Sequence, residues 1–190
     1  MNVVIHYYVV TDHQAPVRML EFQAVRERMR WHAAQVGVPI IEYDSGRPTF
    51  HDMLCKNALD DTINVCSNSD CYFTHESLRK IASIGRREAW CLSRWEVDTA
   101  DDRGECKAVL KTSAGSQDGW VFLGKTHTEY KLDFYAGSRG CDNRVAYILH
   151  SSGLTLSNPA RSVKLMHYHT SKIRKWLPLV AGPHRHVRVS

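Results

Sequence analysis

At 190 residues the chain has room for one domain with a substantial core and too little for two comfortable ones. A hydrophobic fraction of 43% beside a charged fraction of 24% excludes a disordered chain, and scattered Gly and Pro exclude a low-complexity one. The formal charge of +5 suits an anionic ligand, either a diphosphate or a nucleic acid.

The first ten residues, MNVVIHYYVV, lack the basic region and small-residue cleavage site of a secretory signal. No apolar run approaches the ~18 residues needed to span a bilayer, so no membrane span and a cytoplasmic location are expected. The six cysteines (Cys55, Cys66, Cys71, Cys91, Cys106, Cys141) are dispersed, which predicts free thiols in a reducing compartment. Much of the basic excess lies late, in Arg161, Lys172, Arg174, Lys175, Arg185 and Arg188, so residues 1–175 are expected to form the domain and 176–190 a solvated basic tail.

In chain order, a β-rich run over 3–10 leads through a turn-like 11–16 into a helix over 17–36. In that helix Val17, Leu20, Ala24, Met29 and Ala33 fall on one face, with Arg18, Glu21, Arg26, Glu27 and Arg30 elsewhere. Gly37 and Pro39 end it. A strand over 39–43, a polar turn over 44–48, a helix over 50–59 and an apolar strand over 62–66 follow. The alternation predicts an α/β fold, a Rossmann-like, mainly parallel sheet flanked by helices that binds ligands beyond the carboxyl ends of its strands.

A helix over 75–84, a strand over 89–95 and a polar loop over 97–119 come next. Strands are expected over 120–123 and 131–135, then a helix over 144–150 opened by Gly140-Cys141-Asp142-Asn143 and closed by Gly153. Residues 154–156 and 163–167 read as short closing strands.

The triplet Asn68-Ser69-Asp70 follows a buried strand, where alternate residues of an extended segment share a face. Such oxygens can hold a divalent cation that neutralises charge developing on a diphosphate leaving group. An N-x-D triplet alone is equally a polar turn or a helix cap. The ordered series Asn57, Asn68-Ser69-Asp70-Cys71-Tyr72-Phe73, Cys91-Leu92-Ser93-Arg94-Trp95, Ser116-Gln117-Asp118-Gly119-Trp120-Val121-Phe122, Gly140-Cys141-Asp142-Asn143-Arg144, Asn158-Pro159 and His167-Tyr168-His169 resembles small GT-A-type glycosyltransferases, including those of large algal viruses and related phage or bacterial proteins. The likeness covers about residues 3–174.

The resemblance implies a single GT-A domain that moves a sugar from a nucleoside-diphosphate-sugar, a UDP-sugar first, to a hydroxyl acceptor with Mn2+ or Mg2+. It implies Asp70 and Asn68 at the metal and diphosphate, and His167 or His169 completing the metal shell. Tyr7 or Tyr8 and Asp44 match places that hold the nucleoside, and Asn57 a donor contact. Arg94 is a candidate phosphate contact. Asp142 is the first choice for a general base of an inverting transfer, against its bland role as a helix-start residue. Asp118 is the second choice, against an Asp-Gly turn.

The acceptor is open between a glycan and a hydroxymethylated DNA base. The latter would use phosphate contacts from residues such as Lys172, Arg174 and Lys175. From other classes come a noncatalytic nucleotide-sugar binder and a zinc-binding interaction module built on Cys66, Cys71 and His75, whose spacing matches no paired C-x-x-C signature.

Overall fold

The structure, a computed structural model, describes residues 1–11, 15–44, 46–100, 106–173 and 177–190. The elements in chain order are β1 (Asn2–Tyr8), α1 (Pro16–Ala34), β2 (Ile40–Tyr43), a wide helical turn at Asp52–Lys56, β3 (Thr62–Ser67), β4 (Cys71–Phe73) and α2 (His75–Ile81). Then follow β5 (Glu88–Leu92), β6 (Arg94–Val97), β7 (Ala108–Leu110), β8 (Gly119–Leu123), β9 (Ser138–Arg139), α3 (Cys141–Ser151), β10 (Thr155–Ser157), β11 (Leu165–Tyr168) and β12 (Leu177–Leu179).

The fold is mixed α/β. Six strands form one sheet in the order β10-β5-β8-β3-β1-β2. Parallel pairings join β1 to β2, β1 to β3 and β5 to β10. The expected mainly parallel sheet is corrected at β8, which runs antiparallel to both β3 and β5 and makes the sheet mixed. Alternation along the strands sends Ile5, Tyr7, Ile63 and Val65 to one face, packed with Val25, Met29 and Ala33 of α1 and Leu78 and Ile81 of α2. Tyr8, Cys66, Ala89 and Cys91 face the other way, against Phe50, Met53, Leu54 and the Val145, Ala146, Ile148 and Leu149 stripe of α3.

A second sheet, β4-β11-β6-β7, abuts the first. At two points the chain passes directly from a strand of the first sheet into a strand of the second, from β3 through 68–70 into β4 and from β5 through Ser93 into β6. The expected single strand over 89–95 is therefore two. At the break the Ser93 N–H donates to Asn158 Oδ1 (3.1 Å) and its hydroxyl to the Ser116 carbonyl (3.1 Å), so side chains replace the ladder.

Other expectations also shift. Residues 131–135 are not a strand: the carbonyls of Leu132 and Phe134 accept the N–H groups of His51 (2.8 Å) and Phe50 (3.0 Å), capping a helical start whose donors have no partner within the turn. The expected loop over 97–119 contains β7. Helix α1 forms where expected and buries Met29 and Ala33 of the expected face, but its first turns bury other residues: Val17 and Leu20 are 45% and 66% exposed, whereas Arg18 and Glu21 are 4% and 3% exposed.

The C-terminal segment keeps mostly exposed side chains, yet its backbone is tied down. Strand β12 pairs with β9. The N–H groups of Arg185, Val187 and Ser190 donate to the carbonyls of Asn143, Ala114 and Asn158. All six cysteines are free thiols. Among the described residues no helix is long and apolar enough to cross a membrane.

Candidate metal centre

The crossing from β3 to β4 places Asn68-Ser69-Asp70 at the carboxyl end of the parallel pair β1 and β3. Two tyrosines hold this turn. The Tyr7 hydroxyl donates to the Ser69 carbonyl (2.9 Å), and the Ser69 hydroxyl donates to the Tyr8 carbonyl (2.7 Å). Both rings are almost wholly buried, on opposite faces of the sheet. Tyr7 and Tyr8, expected at the nucleoside, therefore shape the turn and present no open ring. Asn57 donates to the Tyr8 hydroxyl (3.1 Å) and belongs to the same support. Asp44 is exposed just after β2, at the same edge of the sheet.

Strand β11 lies between β4 and β6, with His167 opposite Cys71 on one side and Glu96 on the other. The Tyr168 N–H donates to the Asp70 carbonyl (3.0 Å), which locks Asp70 beside the end of β11. His167 and His169, two apart, both turn toward Asp70, with the His167 Nε2 3.2 Å and the His169 Nδ1 3.9 Å from its Oδ2. One ligand atom from each of Asp70, His167 and His169 lies within 4.8 Å of the others, and among the described residues no other group of three such side chains converges this way.

The outward nitrogens of both rings are anchored. His169 Nε2 meets the Ile173 carbonyl at 3.0 Å; a carbonyl only accepts, so Nε2 carries the hydrogen and Nδ1 presents its lone pair inward. Burial, and then the Arg18 charge, lower the proton affinity of His169 and keep it neutral. His167 Nδ1 meets the Glu96 carboxylate at 3.1 Å. Burial alone would lower the pKa of His167, but the charge and hydrogen bond of Asp70 and the contact with Glu96 raise it to about 9. Asp70 sits well below the usual carboxylate range: burial opposes its charge, and His167 and Arg18 outweigh that.

The donor set, one carboxylate and two imidazoles, fits a first-row divalent ion such as Mn2+ better than Mg2+, which prefers an all-oxygen shell. A cation held by these residues would take the place of the second proton on His167. Arg18 Nη2 contacts Asp70 Oδ2 beside it. Asn68, expected at the metal and diphosphate, is tied to Asp118 through both of its nitrogens. Its amide donates to Asp118 Oδ1 (2.9 Å) and its N–H to the Asp118 carbonyl (2.9 Å), because the crossing turn needs its partner strand.

Residues beyond those read from the sequence complete the site. Glu21, buried in α1, accepts from Arg18 Nη1 (2.7 Å), the Thr170 hydroxyl (2.9 Å), and the Ser171 N–H (2.6 Å) and hydroxyl (2.9 Å). Burial opposes its charge, but these donors hold its pKa down at about 2. The segment after His169 is thereby fastened to α1. The spacing of Arg18, Glu21, Val25, Met29 and His32 was the available signal, a helical face with two charges in it.

Arg94, expected at phosphate, makes ion pairs with two neighbouring carboxylates. Its Nη1 reaches both oxygens of Asp118 (3.0 and 2.9 Å) and its Nε reaches Glu96 (2.9 Å). Asp118 is thus fixed by Arg94 and Asn68. Asp142 lies in the first turn of α3, half-buried, taking the Gln117 N–H and facing the Cys141 thiol at 3.1 Å. Burial and then the charge of Asp118 raise its pKa to about 7. A carboxyl so poised exchanges protons readily at neutral pH.

The cysteine module does not assemble. Cys66 and Cys71 lie in separate apolar clusters with thiols pushed up by burial, and His75 meets His32 (3.1 Å) and Glu76 (2.7 Å). Of the basic residues considered for nucleic-acid contact, Lys172 is described and Arg174 and Lys175 lie outside the described residues. No protein-family model, no curated protein and no solved structure matches this chain.

Proposed function

We propose that the chain is a metal-dependent glycosyltransferase of GT-A type. It would transfer a sugar from a nucleoside-diphosphate-sugar, with UDP the first nucleotide to test, to a hydroxyl acceptor, with Mn2+ as the preferred ion. One observation carries this: Asp70, His167 and His169 converge at the carboxyl end of β1 and β3, and the outward nitrogen of each imidazole is held by an acceptor. Carboxyl ends of parallel strands are where open α/β sheets bind nucleotides. The ordered motifs of the chain, similar to those of small GT-A enzymes, turn that general metal site toward sugar transfer.

Asp70, His167 and His169 would hold the ion. When bound, it supplies Lewis-acid neutralisation of the departing diphosphate. Arg18, buried beside Asp70 and braced by Glu21, adds a fixed positive charge at the same spot. Asp142 is the candidate base: in an inverting transfer the acceptor oxygen bonds to the anomeric carbon, the bond from that carbon to the diphosphate breaks, and the hydroxyl proton passes to the carboxylate. Asp118 keeps the proton affinity of Asp142 high without itself being free to move.

A panel of nucleotide-sugars incubated with Mn2+, scored for donor hydrolysis and for transfer, tests this. Asp70→Ala and Asp142→Asn are each expected to lose at least ~100-fold in turnover. Full turnover in both variants removes the assignment. Donor binding without any turnover in the wild type would instead support a noncatalytic nucleotide-sugar binder.

A further inference from the structure

We propose that Glu96 is a positioning residue for the metal centre: it fixes the His167 ring so that Nε2 faces Asp70, and it joins that ring to the Arg94–Asp118 pair. The inference rests on the proposed metal site and adds to it a residue that lies outside the ligand set and outside the motifs read from the sequence.

Glu96 and His167 are direct neighbours in the parallel pairing of β6 and β11. The contact between Glu96 Oε2 and His167 Nδ1, at 3.1 Å, thus follows from strand register and needs no flexible reach. An imidazole can rotate about its bonds to the backbone, and a carboxylate on its far nitrogen removes that freedom and selects which nitrogen is left to ligate. Glu96 uses its other oxygen on Arg94, at 2.9 Å. Arg94 already has both oxygens of Asp118, so a purely structural account of Glu96 as its ion partner leaves the His167 contact unexplained. A part-exposed Arg–Glu pair also contributes little by itself. From Asp70 through His167, Glu96 and Arg94 to Asp118 the hydrogen bonds are continuous, so one carboxylate couples the metal-binding half of the site to its acidic half.

The test is Mn2+ affinity by titration calorimetry on the full chain, for wild type, Glu96→Gln and Glu96→Ala, with the ring nitrogens of His167 followed by NMR in the presence of diamagnetic Zn2+. Loss of the carboxylate is expected to weaken Mn2+ binding ~10- to 100-fold in Glu96→Ala. Glu96→Gln, whose amide oxygen can still accept from Nδ1, is expected to recover part of the loss and to keep the Nε2-ligated ring signature. If both variants bind Mn2+ as the wild type does, with an unchanged His167 signature, Glu96 is only a partner of Arg94 and this inference fails alone. If the wild type takes up no Mn2+, the proposed function fails and this inference with it.

Discussion

Replacing Asp142 with Asn separates a functional carboxylate from a helix-start residue. In the folded protein its pKa is raised from an ordinary 3.8 to about 7, by burial first and the Asp118 charge second. The sign follows directly: a group that holds its proton more tightly when folded favours folding at acid pH, and that advantage is lost as pH rises from 4 through 7. At ~1.4 kcal/mol per pKa unit, the charged form costs on the order of 2–4 kcal/mol above pH 7. The neutral amide of Asp142→Asn avoids the cost while still accepting the Gln117 N–H. The variant should therefore match the wild type near pH 4 and be more stable by ~2 kcal/mol at pH 8, a rise of ~4–8 °C in melting temperature for a chain of this size. Transfer should fall ~100- to 10,000-fold in the same variant. Paired thermal melts across pH 4–8 read the first effect. Parallel stability curves for the two proteins would refute the strained, acid-coupled picture of Asp142.

Glu21→Ala leaves the buried Arg18 with less compensation and unfastens Thr170 and Ser171, so a loss of ~3–5 kcal/mol is expected; urea unfolding showing under ~1 kcal/mol would contradict the latch. In the metal-free protein the His167 pKa of about 9 lies above its ordinary 6.5, so its contribution of ~3 kcal/mol is present below pH 6.5 and lost as pH rises through 9. Because Mn2+ must displace that proton, its affinity should rise by up to ~10-fold per pH unit over the same window. Calorimetry giving a flat profile would place the ion elsewhere.

Most element positions were legible because apolar runs and their Gly and Pro stops are local signals. What periodicity could not show was how a helix meets a polar site. In α1 the apolar Val17 and Leu20 were read as inward, yet the site draws Arg18 and Glu21 inside, where their partners offset the burial. His167 or His169 was singled out by the resemblance of the ordered motifs; that both would find Asp70 was not legible, since that depends on β11 entering between β4 and β6. Arg94 and Glu96, two apart on one strand, carried a signal of shared face; their link to His167 depends on a strand register that local sequence does not encode. The antiparallel β8 was equally hidden, because a buried apolar run reads alike in either direction.

The most direct test of the metal centre is anomalous X-ray scattering at the manganese edge from crystals grown with Mn2+ and a nucleoside diphosphate. A peak within bonding distance of Asp70 Oδ2, His167 Nε2 and His169 Nδ1 is the predicted result, with the diphosphate beside it and Arg18. Manganese bound elsewhere, with Arg18 and His167 still closed on Asp70, would contradict the account.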